Sequence, residues 1–308
     1  MIGAVGLAPG LRPNLICLGA AKAGTTALAN VLGAHPSIYM PPQKELNALH
    51  YDDLDDRLEE YMAYFRPAGE AAVRCDFSVR YLASPNAPAA AARLTPDARL
   101  MVILRNPVDQ IQSHYWHLRR QNFHQARPVD PAPDLFEALD RFPELLLDPA
   151  LYGKHLARWL ALFPRERLLV IDYADLSRDQ AGVLDRICDF TGVERFDFTA
   201  AARDTSARDG RAGVQPRGGL AGRLFPLLYL GVARGPYTWL KWVVGVQGAE
   251  RLKRQLRLRE ASEAVFFKSG YPRLDTDARR RLGDRLAEDR RQLEALDLID
   301  TTPWRACS

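Results

Sequence analysis

One short segment near the start of the chain concentrates the residues that could bind a phosphate-like anion. Residues 19–26 read GAAKAGTT, in which small residues and glycines surround one lysine and two threonines. Small side chains allow successive backbone N–H groups to face an anion, and hydroxyls add further donors. The segment is not a Walker A loop, since that motif would place lysine at the position of Thr25. It therefore predicts an anion site whose cation is Lys22.

A second group of anion-binding residues follows the clearest strand signal of the chain. Residues 99–104 read RLMVIL and predict a buried strand, and Arg105 comes directly after it. Ligands of open α/β sheets bind outside the carboxyl ends of strands, where a guanidinium can hold a phosphate with its planar fork. Ser113, on the helix predicted after Pro107, offers a hydroxyl. Two anion sites at neighbouring strand ends indicate a ligand with two separated phosphate groups.

Apolar strands alternating with helices must position these groups. The predicted strands cover residues 14–19, 71–77, 99–104 and 167–172. The predicted helices cover residues 25–32, 53–65, 87–94, 108–120, 151–163, 180–191 and 276–296. This alternation predicts an α/β fold of three layers, with a central parallel sheet flanked by helices. Residues 201–222, rich in Gly, Arg and polar side chains, predict a mobile loop.

The composition is that of an ordinary globular protein. The chain has 308 residues, 47% of them hydrophobic and 26% charged, with a formal net charge of +4. These values exclude a disordered chain, and four scattered cysteines without a CxxC pair exclude a disulfide framework and a zinc ribbon. Reduced thiols and the lack of a signal-peptide pattern in residues 1–10 predict a cytoplasmic protein. We predict one domain over residues 1–308, with 201–270 as a mobile insertion on the acceptor side.

The most apolar stretch, residues 224–248, is interrupted by Arg234, Pro236 and Lys241. Because a membrane span needs roughly 18 or more uninterrupted apolar residues, we expect buried or acceptor-lining helices instead. A basic run over residues 251–259 leaves peripheral membrane contact open. The aromatic side chains in this stretch would suit a lipid, polyketide or glycolipid acceptor. Recognisable nucleic-acid-binding modules are lacking, so we expect no nucleic-acid partner.

Taken together, the two anion motifs resemble those of sulfotransferases that use 3′-phosphoadenosine 5′-phosphosulfate (PAPS). KAGTT at 22–26 looks like their phosphosulfate loop, and RNP at 105–107 with Ser113 looks like their 3′-phosphate motif. Further similarities follow in the family's order: KELN at 44–47, DFSVRYL at 76–82, YADL at 173–176, and Tyr271 to Trp304. The resemblance covers roughly residues 14–195 well and 271–304 loosely. It is nearest to the bacterial and Golgi carbohydrate-type branch, with a P-loop-like fold.

The resemblance implies transfer of a sulfuryl group from PAPS to a hydroxyl of a small-molecule, lipid or glycan acceptor, releasing PAP without a metal. It implies that Lys22 stabilises the bridging oxygen and that Glu45 is the general base, with Asp76 as a competing base. The residues expected to bind the cofactor are Lys22, Ala23, Gly24, Thr25, Thr26, Arg105, Ser113 and Arg217. Arg217 is the best candidate among the loop arginines, which also include Arg203, Arg208 and Arg211.

Three positions depart from the family's pattern. Gln110 stands where the family often has arginine, Phe77 where it often has lysine, and Asn47 where some members have histidine. Cofactor binding is expected to survive these changes, whereas the charge around the acceptor must differ. His114 and His117 share a helix face without a carboxylate cluster, which is a weak metal signal.

Two other functions compete with the sulfotransferase reading. A P-loop nucleotide kinase would need the Walker lysine and an acidic magnesium ligand, for which Asp172 is the one candidate. A nucleotide-binding protein without catalysis would not need the full set of Lys22, Glu45, Arg105 and Ser113. A magnesium requirement would favour the kinase, and PAP binding with no transfer to any hydroxyl acceptor would favour the non-catalytic protein.

Overall fold

The computed structural model describes residues 12–124, 134–209, 214–216 and 267–305. The chain divides into two compact units. The first comprises residues 1–111, 142–209 and 275–308, and the second comprises residues 112–141 and 210–274. The expectation of one domain with an acceptor-side insertion stays a prediction.

A five-stranded sheet forms the centre of the first unit. Its strands are β1 (Leu15–Cys17), β2 (Ile38–Tyr39), β3 (Val73–Phe77), β4 (Arg99–Leu104) and β5 (Leu168–Asp172). They pair in the order β2-β3-β1-β4-β5, and every pairing is parallel. In the register of this sheet, Cys17 lies opposite Phe77 on one side and Met101 on the other. The predicted parallel sheet is therefore confirmed.

Helices flank this sheet, as predicted. The helices of the chain before β5 are α1 (Thr25–Leu32), α2 (Leu58–Ala63), α3 (Ala87–Leu94), α4 (Pro107–His124), α5 (Leu135–Arg141), α6 (Pro143–Leu146) and α7 (Tyr152–Leu160). Of these, α5 and the part of α4 beyond Ile111 belong to the second unit. Those after β5 are α8 (Tyr173–Arg178), α9 (Gln180–Thr191), α10 (Thr199–Asp209), α11 (Thr276–Ala295) and α12 (Thr302–Arg305). Helix α1 packs against α10, and α7 packs against α11. Right-handed crossovers place α1 on one face of the sheet and the connections after β2 and β3 on the other.

The sheet is the core of the first unit because its strands are apolar on both faces. All three residues of β1 are at most 1% exposed, and β4 is buried from Leu100 to Leu104. A strand covered on both faces reads as a continuous apolar run, which is why these two strands were visible in the sequence.

Two predicted elements differ from the structure. The helix predicted over 53–65 begins only at Leu58, because the preceding aspartates favour turns; one of them, Asp53, accepts a hydrogen bond from Arg57 Nε at 2.7 Å. Residues 201–209, expected to be loop, belong to α10, whose alanine-rich start follows Asp197. The Asp197 carboxylate accepts from Thr199 N at 2.9 Å.

The second unit contains the part of α4 beyond Ile111 and a two-stranded antiparallel sheet. Strand β6 (Val214–Pro216) pairs with β7 (Phe267–Ser269). Gln112 Nε2 donates to Pro272 O at 2.5 Å, and the ring of Trp116 stacks on that of Tyr271 at 6.2 Å. Within the described ranges, no helix is long and apolar enough to cross a membrane. The apolar stretch 224–248 and the basic run 251–259 lie outside those ranges.

Candidate functional site

The site lies at the edge where the parallel strands of the first unit end. From β1 the chain crosses to β2 at one edge of the sheet, and from there it returns through β3 to β4 and β5 on the other side of β1. The direction of the strand order therefore reverses next to β1. Ligands of open α/β sheets bind at such a reversal, outside the carboxyl ends of the strands. The motifs at 22–26, 44–47, 105–107 and 173–176 follow β1, β2, β4 and β5, and the motif at 76–82 begins at the end of β3, so these five lie along this one edge.

Backbone hydrogen bonds to β4 hold the loop after β1 in place. Leu18 N donates to Met101 O and Ala20 N donates to Ile103 O, both at 2.8 Å. Ile103 N in turn donates to Gly19 O at 2.8 Å. The first half of the loop therefore continues the sheet, and its second half is free to turn toward α1.

The N-terminus of α1 lacks a side-chain cap, and the first backbone N–H groups of a helix have no partner within the helix. Its N-cap is Gly24, which adopts a left-handed conformation (φ 81°), and no side chain caps the helix. The left-handed conformation of Gly24 disfavours any other residue, and a Cβ there would lie 3.1 Å from the ring of Tyr173, which would have to shift slightly. The first turn also carries no acidic residue. Free N–H groups and the helix dipole make this end suitable for an anion.

Arg105 connects the loop after β1 (residues 19–24, the anion loop) to the first residue of α8. Its Nη1 donates to Lys22 O at 3.1 Å, and its guanidinium lies 5.0 Å from the centre of the Tyr173 ring. Lys22 itself is half-buried and left-handed (φ 67°). The structure thus joins Lys22 and Arg105, which the sequence predicted as parts of separate sites.

Gln110, which stands where the family often has arginine, stabilises the loop after β1. It is fully buried on α4, and its Nε2 donates to Ala21 O at 3.2 Å. The amide thus fixes the carbonyl that precedes Lys22. An arginine at this position would also be a hydrogen-bond donor but would carry a charge, whereas the Gln110 amide donates as a neutral group.

The predicted base lies on a tight turn beside the end of β3. Glu45 and Asn47 are both left-handed, with φ of 62° and 55°. Glu45 N donates to Phe77 O at 3.0 Å, Asn47 N donates to Ser78 Oγ at 3.1 Å, and Asn47 Nδ2 donates to Glu45 O at 2.8 Å. These bonds hold a backbone that non-glycine residues rarely adopt. Strain of this kind at a fixed turn is typical of functional sites.

Lys44 joins this turn to the start of α1. Its ammonium donates to Thr26 Oγ1 at 2.8 Å, to Thr25 Oγ1 at 3.2 Å and to Glu45 Oε1 at 3.3 Å. Lys44 was not among the residues predicted to form the site. The one available signal was its place directly before Glu45 in KELN.

Asp76, the competing base, is enclosed by hydroxyl donors. It is fully buried, and it accepts from Tyr61 and Tyr81 at 2.7 Å and from Ser78 at 2.8 Å. Burial raises the pKa of the carboxyl, and the three hydroxyl donors act in the opposite direction. Burial also raises the pKa of Tyr61 and Tyr81, each beside Asp76. This carboxylate is part of the core and is not open to a substrate.

Asp172, the acid that a kinase would need, is used in capping and packing. One of its oxygens accepts from Ala174 N at 2.8 Å and caps α8. The other accepts from Trp304 Nε1 at 3.3 Å. Both oxygens are thus engaged by the protein itself.

The remaining predicted residues fall in different places. Ala23 and Thr25 are buried and Thr26 is exposed, all at the start of α1. Ser113 is buried on α4 within the second unit.

Among the loop arginines, Arg203 is exposed on α10. Arg211 and Arg217 lie outside the described residues, as does the side chain of Arg208. His114 and His117 have ring centres 6.4 Å apart, and the described residues contain no group of three potential metal ligands. Assignment of these residues to the cofactor stays a prediction.

Comparisons with known proteins agree on one family. The family described as "Sulfotransferase domain" matches residues 12–206. Two curated relatives are each 34% identical to the chain over 199 residues. They are the bifunctional heparan sulfate N-deacetylase/N-sulfotransferase 4 of Mus musculus and the bifunctional heparan sulfate N-deacetylase/N-sulfotransferase 3 of Homo sapiens. These matches cover 59% of this chain but only 22% of either relative.

Among solved structures, a sulfotransferase from Alicyclobacillus acidocaldarius has the same fold. The superposition has a TM-score of 0.64 at 23% identity, and it covers 96% of this chain and 99% of that one.

Proposed function

The chain belongs to the sulfotransferase family, and on this premise we propose that it transfers a sulfuryl group from PAPS to a nucleophile on an acceptor. One observation carries the proposal: an uncapped helix N-terminus lies beside a loop whose carbonyls are held by Arg105 and Gln110, and the Lys44–Glu45 pair reaches the same helix. Anion-binding groups and a candidate base are thereby placed at one edge of the sheet.

The residues present fit the phosphosulfate end of this donor. The N–H groups at the start of α1 and the hydroxyls of Thr25 and Thr26 are donors without a carboxylate nearby in the same turn. For the other end of the donor, Arg105 supplies a guanidinium that can pair with the 3′-phosphate through two parallel hydrogen bonds. PAPS, when bound, supplies an activated sulfuryl group on a phosphate leaving group.

The chain's contribution to the reaction is positioning and charge stabilisation. Lys22 neutralises the charge that grows on the bridging oxygen as the nucleotide departs. Glu45 accepts the proton that the acceptor's hydroxyl or amino group loses when it attacks sulfur. The tight turn at residues 44–47 holds this carboxylate by backbone hydrogen bonds to Phe77 and Ser78, so its position does not depend on a flexible loop.

We propose a glycan or a small molecule as the acceptor, with a hydroxyl or an amino group as nucleophile. The two relatives named above are heparan sulfate N-sulfotransferases, and that name supports a glycan and adds nitrogen to the oxygen nucleophile expected from the sequence. The chain spans about a fifth of their length, so the match supports a shared sulfotransferase domain and not the other activity in their name.

Calorimetric titration with PAP, 5′-AMP and ATP, each with and without magnesium, tests the proposal. We expect metal-independent PAP binding in the micromolar range, much tighter than 5′-AMP, because the 3′-phosphate adds charge-assisted hydrogen bonds. Magnesium-dependent ATP binding without PAP binding would instead indicate a kinase. Tight PAP binding with no transfer to any of a panel of sugars, phenols, lipids and amines would indicate a non-catalytic nucleotide-binding protein.

We also propose a cytoplasmic location. Among the described cysteines, Cys17, Cys75 and Cys188 are free and buried, and burial raises the pKa of Cys17 to about 12. Buried thiols with few thiolates suit a reducing compartment. Cell fractionation with detection of the protein in each fraction tests this, and recovery in a secreted or membrane fraction would contradict it.

A further inference from the structure

Lys44 is placed where a lysine is unfavourable unless an anion shares the site. Its ammonium contacts the hydroxyls of the first two residues of α1. The N-terminus of a helix carries roughly half a positive charge, so a cation there is repelled by the helix dipole. Helix α1 has no acidic residue in its first turn, so the one carboxylate that the structure places beside this ammonium among the described residues is that of Glu45, outside the helix. A bound anion would reverse the sign of the interaction.

The hydrogen bonds of Lys44 also prepare the two threonines for an anion. A hydroxyl has one donor hydrogen and can accept through its lone pairs. Because Thr25 and Thr26 accept from the ammonium, their own hydrogens point elsewhere and can be donated. A hydroxyl that accepts from a cation is also a stronger donor, since hydrogen bonds in a chain polarise one another.

The third contact of Lys44 reaches the candidate base. The ammonium lies 3.3 Å from Glu45 Oε1, and the two side chains are 21% and 41% exposed. Partly buried ion pairs are screened less than surface pairs. Lys44 is therefore connected both to the helix end and to the carboxylate, within reach of two parts of the proposed site.

From these contacts we infer that Lys44 is a second cation of the site, which binds the 5′ end of the donor and orients Glu45. The inference rests on the proposed function. In the transfer, the bond between sulfur and the phosphate oxygen breaks as the acceptor bonds to sulfur. The acceptor's proton passes to Glu45. The electron pair stays on the 5′-phosphate of PAP, and Lys44 offsets part of the added negative charge.

Titration of variants with two nucleotides tests the inference. Wild type, Lys44→Gln, Lys44→Met and Lys44→Arg are titrated with PAP and with 3′-AMP, which lacks the 5′-phosphate. We expect Lys44→Gln and Lys44→Met to weaken PAP binding about tenfold, equivalent to about 1.4 kcal/mol, and Lys44→Arg to weaken it less. Affinity for 3′-AMP should stay within about twofold of wild type, since that ligand does not reach Lys44.

Arg66→Gln is the matched control, because it also removes one positive charge. Arg66 pairs with Glu59 at 3.5 Å, and both side chains are largely exposed, at 58% and 91%. This variant should bind both nucleotides like wild type. Thermal unfolding of each variant shows whether it is folded. Two neutral variants, Lys44→Gln and Lys44→Met, are used so that the test can still be made if one of them misfolds.

Two results would overturn the role of Lys44: unchanged PAP affinity in folded neutral variants, or an equal loss of affinity for PAP and 3′-AMP. The second result would mean that the substitution disturbs the site as a whole. If wild type itself fails to bind PAP, the proposed function is wrong, which is a separate outcome from failure of the Lys44 assignment.

Discussion

Glu45 and Asp76 are carboxylates on adjoining segments of the same sheet edge, yet their surroundings are opposite. Glu45 lies on a turn, is 41% exposed, and has Lys44 as its ionic partner. Asp76 lies within β3, is 0% exposed, and accepts hydrogen bonds from three neutral hydroxyls. The first carboxylate can reach a substrate, whereas the second can do so only by breaking its own network.

Both candidate bases are carboxylates, so their accessibility, and not their functional group, distinguishes them. A general base must come within hydrogen-bond distance of the proton it takes. Burial raises the pKa of Asp76, which by itself would suit a base, but the hydroxyls of Tyr61, Tyr81 and Ser78 occupy its lone pairs. A raised pKa is therefore insufficient to identify a catalytic acid or base; access decides.

The largest expected effect is that of Glu45→Gln on turnover. Removing a general base lowers rate constants by 10²–10⁴-fold, so we expect about a 10³-fold loss of kcat. PAP affinity and the free energy of unfolding should change little, because the side chain is partly exposed and its backbone hydrogen bonds remain. Steady-state sulfuryl transfer, with PAP titration of the same preparation, provides both measurements.

Glu59→Gln is the control for that substitution, because Glu59 is an exposed glutamate whose ion pair with Arg66 is also lost. It should keep wild-type turnover. Retention of more than a tenth of wild-type kcat by Glu45→Gln would contradict the assignment of Glu45 as base.

Asp76→Ala should instead affect folding. It leaves the hydroxyls of Tyr61, Tyr81 and Ser78 without their acceptor, and each unsatisfied buried group costs about 1–3 kcal/mol, so we expect a loss of about 3 kcal/mol or more. Chemical denaturation measures it. Asp97→Ala, which removes an exposed carboxylate paired with Arg167, should change the free energy of unfolding by less than about 1 kcal/mol. Similar losses for the two variants would refute the structural role of Asp76.

The sequence was sufficient for the sheet and for most helices, because their signals are local. Strand β4 is an uninterrupted apolar run, and helices α1, α3 and α9 have the predicted bounds. Strand β2, with only two residues, gives no periodic signal and was missed. The order of the strands is a consequence of long-range pairing, so it emerged only in three dimensions.

For the site, the sequence identified the segments but not their mutual contacts. Lys22, Glu45 and Arg105 were selected by motif, whereas the link from Lys44 to Thr26 spans 18 residues and the link from Gln110 to Ala21 spans 89. The burial that removes Asp76 from consideration depends on Tyr61 and Tyr81, which no short motif connects to it. Local patterns report which chemistry is available, and tertiary contacts determine which groups can use it.

Ser78→Ala should show how strongly the two regions depend on each other. The Ser78 hydroxyl donates to Asp76 Oδ1 at 2.8 Å and accepts from Asn47 N at 3.1 Å, so it connects the buried network to the turn that carries Glu45. We expect a loss of about 1 kcal/mol in the free energy of unfolding and a several-fold lower kcat. Ser177→Ala, which removes an exposed hydroxyl bonded to Tyr173 O, is the control. Lost stability with unchanged turnover would show that the turn holds without the network.

The smallest effect concerns the pH dependence of stability. Because burial raises the pKa of Asp76 in the folded state, the folded protein takes up this proton more readily than the unfolded chain. The contribution of Asp76 to stability is therefore greatest below the unfolded pKa of about 3.9 and is lost as pH rises through the folded pKa. Asp76→Asn removes this titration, so the difference in unfolding free energy between wild type and Asp76→Asn should shift in favour of wild type from pH 7 to pH 4. Urea denaturation of both proteins at the two pH values measures the shift. A shift of opposite sign would mean that the three hydroxyls outweigh burial, and Asp76 would then be a carboxylate stabilised in its ionised form.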